Sequence, residues 1–130
     1  MTAPWQGTVD SVPLTGADLV SLDKALAESG VFRPAPKGLL LRGEDFFWIV
    51  GACIDGTFHF NAFKWDSAAF AALTFPRLLL AWDPTGVPLN PPRSLSPFDI
   101  YRQTASDGGS GPTYSLTVGD NGLFGVKPLF

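Results

Sequence analysis

The feature that most constrains this chain is the pair Asp55-Gly56, which separates two apolar segments. Such a pair favours a two-residue type I′ hairpin turn, because both central positions of that turn need positive φ. The surrounding stretch from Leu39 to Trp65 holds two of the four tryptophans, five of the eleven phenylalanines, and the only Cys and His. We therefore predict a β-hairpin at the centre of the fold.

A two-residue turn also sets the register of the two strands. In that register one face is apolar nearly throughout, and we expect it to be the buried core: Phe47, Ile49, Gly51, Cys53, Phe58, Phe60, Ala62 and Lys64. The opposite face is polar near the turn and aromatic at its far end, around Trp48 and Trp65. That aromatic end needs cover, either from a later segment of this chain or from another molecule.

Residues 15–29 are predicted to form the main helix. Thr15 is a suitable N-cap, and Asp18 three residues later completes a capping-box pattern with Asp in place of Glu. Leucines recur at helical spacing along one side, which would face a sheet. Gly30 follows as a natural C-terminal stop.

The other predicted strands cover residues 39–41, 77–82, 113–118 and 123–127. The stretch 84–97 contains five prolines, which exclude helices and central strands. It is interpreted as a packed loop, with a polyproline II recognition segment as the alternative. The fold class predicted is α+β: a single domain of residues 1–130, with an antiparallel sheet of about five or six strands.

Composition excludes several function classes. The formal net charge is −3 with 16% charged residues, and the nine Lys and Arg are scattered. We therefore expect no nucleic-acid partner. No apolar run approaches the about 20 residues that cross a bilayer, so no membrane association is expected. The first residues lack a signal-peptide pattern, and a cytoplasmic location follows as an expectation.

The residues with reactive side chains do not form a catalytic set. Cys53 and His59 are a candidate nucleophile and base, but the hairpin register places them on opposite faces. No phosphate-binding loop or nucleophile-elbow motif is present, and no spacing typical of a zinc site occurs. We therefore predict no metal, no cofactor and no enzymatic activity.

Two sets of residues are candidates for binding. The aromatic residues Trp5, Trp48, Phe63 and Trp65 are predicted to contact a protein partner. His59 and Asn61, which lie on the same hairpin face, are predicted to contact a small ligand if one binds.

The middle of the chain resembles profilin. The run APKGLLLRG at residues 35–43 is similar to that family's A-P-x-G-L-x-L-x-G signature, and the opening Trp5-Gln6 with Val9-Asp10 is similar to its W-Q-x-x-V-D start. The likeness covers roughly residues 34–86. It implies a protein-binding module with polyproline recognition near Trp5. The long C-terminal helix of profilins is replaced here by a β pattern rich in Gly and Pro.

Together these observations favour a non-catalytic protein-binding or assembly domain with an aromatic surface of low charge. Its partner would be another protein, and a homo-oligomer is compatible with the pattern. Two alternatives stay open. One is an immunity-type protein that neutralises a toxin, and the other is a small-molecule-binding protein or enzyme with a pocket near His59.

Overall fold

The protein is described by a computed structural model over residues 7–96, 98–99, 102 and 114–128, with the main chain alone for 126–128. Its fold is α+β, as predicted. The elements in chain order are α1 (Gly16–Glu28), β1 (Leu40–Arg42), β2 (Phe47–Ile54), β3 (Thr57–Lys64), α2 (Ala68–Ala71), α3 (Phe75–Trp82), β4 (Tyr114–Val118) and β5 (Leu123–Pro128). The Pro-rich stretch contains no helix or strand over its described residues 84–96.

The strands form two antiparallel sheets. One has three strands in the order β1-β4-β5, and the other is the hairpin β2-β3. The predicted sheet of five or six strands is therefore not confirmed. β3 meets the three-stranded sheet through side chains, because Phe60 and Ala62 pack in one cluster with Leu41 and Val118.

The hairpin has the predicted turn and register. All eight residue pairs follow the prediction, from Phe47 opposite Lys64 to Ile54 opposite Thr57. Asp55 has a φ of 50° and Gly56 a φ of 77°, as a type I′ turn requires. Local turn chemistry therefore accounts for the register without help from the rest of the molecule.

Replacing Gly56 by alanine is expected to lower the free energy of unfolding by about 1–2 kcal/mol, because a Cβ is strained at positive φ. Urea denaturation followed by circular dichroism measures the effect. Gly122→Ala is the matched control, since Gly122 has no positive φ and nothing lies within 4 Å of a Cβ added there. Equal losses in the two variants would contradict the assigned turn.

The first helix begins with the predicted capping box. The main-chain N–H of Asp18 donates to Thr15 Oγ1 at 3.2 Å, and the Thr15 N–H donates to Asp18 Oδ2 at 2.8 Å. The hydrogen bonds that the Thr15 N–H and, at 2.9 Å, the Thr15 hydroxyl donate to Asp18 Oδ2 hold the pKa of that carboxyl below its ordinary value. Gly30 follows the helix with a φ of 81°, which suits its predicted role as a stop.

Residues 77–82 form most of a helix, and the prediction of a buried strand there is wrong. The run RLLLAW contains no β-branched residue, and Pro76 occupies the first turn of α3, where proline is tolerated. Ser29 Oγ accepts hydrogen bonds from the N–H groups of Thr74 and Phe75, at 2.8 and 3.2 Å. The end of α1 thus satisfies donors at the start of α3.

Two clusters of buried side chains hold the layers together. Helices α1 and α3 pack on one face of the hairpin through Leu26, Val31, Phe63 and Phe75. The opposite face meets the three-stranded sheet through the cluster around Leu41 and Val118. The hairpin is therefore the middle layer of the fold.

This arrangement corrects the expected core face. Phe60 and Ala62 are buried as expected, but Cys53 is exposed and Phe58 is 54% exposed. The three-stranded sheet covers only the part of that face distant from the turn. The opposite face, which carries Trp48 and Phe63, packs under α1 and α3. Segments of this chain therefore cover it.

Candidate functional site

The four predicted partner-binding aromatics do not form one surface. Trp5 lies outside the described residues. Phe63 is 5% exposed and belongs to the core under the helices. Trp48 is half-buried, and its ring contacts Phe75 edge-on with 5.6 Å between centroids. Trp65 lines a separate cleft. Of the three described aromatics, only Trp48 borders the apolar groove beside β2.

Asn61, predicted to bind a ligand, is engaged within the protein. It is 3% exposed, and its Nδ2 donates to the carbonyl oxygens of Gly30 and Arg33 at 3.1 Å each and of Val31 at 3.4 Å. Its Oδ1 accepts the Ala62 N–H at 2.9 Å. The side chain thereby fixes the loop after α1 against β3, and both its amide nitrogen and its amide oxygen are hydrogen-bonded within the protein.

His59 lies in a shallow hollow of about 240 Å³ beside the same loop. Its ring is 4.6 Å from that of Phe32, centroid to centroid. It pairs across the hairpin with Ala52, whereas Cys53 pairs with Phe58. Cys53 and His59 therefore lie on opposite faces, as the register predicted. Ligand binding by His59 stays a prediction.

A larger cleft, of about 530 Å³, lies at the open end of the hairpin. Trp65, Asp66 and Ser94 are among its lining residues. Within it Lys64 Nζ lies 3.1 Å from Asp45 Oδ2. The two side chains are 35% and 12% exposed, so this pair is more enclosed than an ordinary surface ion pair. The charges of this pair offset each other, and Asp66 adds one further negative charge to the lining.

The free edge of β2 is a different kind of feature, because it offers main-chain groups. Trp65 N–H donates to Phe46 O at 2.8 Å, and hydrogen-bonded pairs alternate along an antiparallel ladder. Even-numbered residues of β2 thus direct their main-chain groups toward β3. The odd-numbered residues direct theirs toward the free edge: Phe47, Ile49, Gly51 and Cys53. No main-chain group elsewhere in the described chain pairs with these four.

An apolar groove of about 290 Å³ runs beside this edge. Residues 48–52 of β2 form one wall, Leu22 and Leu26 of α1 contribute to the other, and Phe75 and Leu79 of α3 complete it. No lining residue carries a charge. The groove therefore suits apolar side chains rather than a polar ligand.

The edge also lacks the usual protection against pairing. Natural edge strands carry charges, prolines or bulges, whereas Phe47–Ile54 has no charged residue and no proline, and its pairing with β3 is continuous. Ile49 on the edge and Leu79 in the groove wall are each 39% exposed, and Leu19, one turn before Leu22, is 52% exposed. The unbroken uncharged run was visible in the sequence, but which strand has a free edge was not.

Within the described residues, no three His, Cys, Asp or Glu side chains are grouped as metal ligands. The helices described here are also too short or too polar to cross a membrane.

Comparisons of this chain with protein-family models, with curated proteins and with solved structures find no match. The resemblance to profilin therefore stays a prediction.

Proposed function

We propose that this chain is a non-catalytic protein-binding domain, and that its docking site is the free edge of β2 with the apolar groove beside it. The observation that carries the proposal is an eight-residue edge strand without charge, proline or bulge. An added strand obtains its affinity from main-chain hydrogen bonds and its specificity from pockets for alternate side chains. The edge offers the main-chain hydrogen bonds, and the groove between α1, α3 and β2 offers the pockets for side chains.

The site agrees with part of the surface predicted from composition. It has low charge, and Trp48 lines the groove. Phe63 supports the groove from beneath through the core that contains Phe75. Binding by Trp5 and Trp65 would need a second contact region, and it stays a prediction.

The two alternatives have weaker support. A toxin-neutralising protein needs a clustered acidic patch, but the twelve Asp and Glu are scattered along this chain. Three of them, Glu28, Asp45 and Asp120, each form an ion pair with a lysine. A small-molecule binder needs convergent free polar groups in a pocket. Near His59 the Asn61 amide is already bonded to the chain.

Photo-crosslinking tests the proposal. A benzophenone side chain is placed at Ile49, on the free edge, and in a second variant at Val87, which is 57% exposed in the Pro-rich stretch. Each variant is irradiated in native extract, and protein adducts are measured by mass spectrometry. The expected result is a discrete protein adduct at Ile49 in several-fold excess over Val87. Equal yields at the two positions, or none at Ile49, would overturn the proposed site.

A further inference from the structure

We infer that the occupant of the β2 edge is a second copy of this chain, paired antiparallel through β2 about a two-fold axis at Val50. This inference rests on the proposed function, because it names the partner for the same edge. Identical strands related by a two-fold axis always pair antiparallel, so such an interface is self-complementary by symmetry. The result is a continuous four-stranded sheet, β3-β2-β2-β3.

The main-chain groups favour this register over its neighbours. Bonds across the new junction involve the odd-numbered residues, which direct their N–H and C=O groups outward. An axis at Val50 pairs all four of them, Phe47 with Cys53 and Ile49 with Gly51, each in both directions. An axis moved by one residue to Ile49 or Gly51 leaves one pair of these residues out of the ladder.

The side chains of β2 are matched in size in the same register. From Phe47 to Ile49 the side chains are large and from Gly51 to Cys53 they are small, so antiparallel pairing about Val50 sets a large side chain opposite a small one. The directly opposed pairs, with the second residue in the second copy, are Phe47 and Cys53, Trp48 and Ala52, Ile49 and Gly51, and Val50 and Val50. Directly opposed side chains share a face and touch, so this matching avoids both clashes and holes.

Charge and exposure agree with the same occupant. No charged residue lies in Phe47–Ile54, so two copies of the strand do not repel each other. Directly opposed residues share a face, so the two-fold axis is perpendicular to the sheet. The helices of both copies then lie on one side, together with the groove beside each edge, whose wall includes Leu79, 39% exposed. A partner of opposite charge has nothing to recognise here.

Disulfide trapping tests the pairing in the full chain. Cys53 is first replaced by serine, and Val50→Cys or Ala52→Cys is then added. Opposed residues of the type formed by the two Val50 lie about 4.5 Å apart between Cα atoms, within the range of a disulfide. The two Ala52 positions are four residues apart along the strands, about 13 Å. Mild oxidation with glutathione should therefore yield a covalent dimer from Val50→Cys and several-fold less from Ala52→Cys.

Sedimentation gives the second readout. The unmodified chain should sediment as a dimer of 13.9 kDa subunits. Ile49→Lys should raise the dimer dissociation constant at least about tenfold, because it places charge on the edge and brings two like charges together across the axis. Val87→Lys, the matched control, should leave the dissociation constant unchanged. Circular dichroism of both variants checks that the fold is retained.

The outcomes separate the two proposals. A monomeric chain, or equal trapping at positions 50 and 52, overturns the pairing. If the Ile49 photo-adduct is then a different protein, the edge is still a docking site and only the second-copy assignment fails. If Ile49 yields no adduct either, both proposals fail.

Discussion

Replacing Phe75 by alanine is expected to lower the free energy of unfolding by about 3–5 kcal/mol. Phe75 is 2% exposed, and it contacts both Trp48 and Phe63, with ring centroids 5.6 and 6.4 Å away. Alanine would remove the ring and leave a cavity where α3 meets the hairpin. A domain of this size has about 5–15 kcal/mol of total stability, so this one change threatens the folded state.

Urea denaturation with tryptophan fluorescence measures the loss, and the Trp48 signal reports on the same contact. The control is Leu80→Ala on the same helix. Leu80 is 44% exposed, and we expect its replacement to cost less than about 1 kcal/mol. If Phe75→Ala cost no more than this control, the helix layer would not be packed as described.

Replacing Asn61 by aspartate is expected to cost about 2–4 kcal/mol at neutral pH, because it removes the donor that satisfies buried carbonyl groups. The Gly30 and Arg33 oxygens, each 3.1 Å from Nδ2, would face a carboxylate instead of an amide. Asn90→Asp is the matched control, since Asn90 is exposed in the Pro-rich stretch, and we expect it to be nearly neutral.

The stability lost in Asn61→Asp should depend on pH with a definite sign. Burial and the facing carbonyl oxygens disfavour the ionised carboxyl, so its pKa in the folded state rises above the unfolded value of about 3.9. The folded state then holds the proton more tightly, and the deficit is smallest below that value. The deficit grows as pH rises toward the folded-state pKa. A deficit that stayed constant from acid to neutral pH would contradict the assigned contacts of Asn61.

Much of the local structure was predictable because short-range physics decides it. The Asp55-Gly56 turn, the eight hairpin pairs and the capping box at Thr15 depend on residues close together in the chain. Alternate residues of β4 face the core, since Val118 is buried and Leu116 packs against the same cluster. In each case one conformation satisfies the local φ angles and hydrogen bonds better than its competitors.

The helix at Phe75–Trp82 shows where local reasoning fails. A short apolar run bounded by prolines fits a buried strand and a buried helix equally well by pattern. What favours the helix is Ser29, more than forty positions earlier, whose hydroxyl accepts hydrogen bonds at the start of α3. That contact exists only after the chain has folded.

The position of the candidate site did not follow from the sequence. Low charge and many aromatics indicated a contact surface, and Trp48 does line the groove. The free edge of β2 is decided by strand order, because among the described residues the hairpin forms its own sheet and gains no third strand. The prediction that Asn61 binds a ligand rests on the hairpin face it shares with His59. Its carbonyl partners at residues 30–33 are distant in sequence, so local patterns do not indicate them.

The sequence by itself determined the hairpin, its register and the pairing of its side chains into two faces. It did not determine which parts of the two faces are buried, because both faces carry enough apolar side chains to form a core. The tertiary structure decided that, since α1 and α3 pack over Trp48, Val50 and Phe63. The same packing leaves Ile49 and Phe58 exposed. Side chains are buried where two layers pack together, so their burial depends on elements that are distant in the sequence.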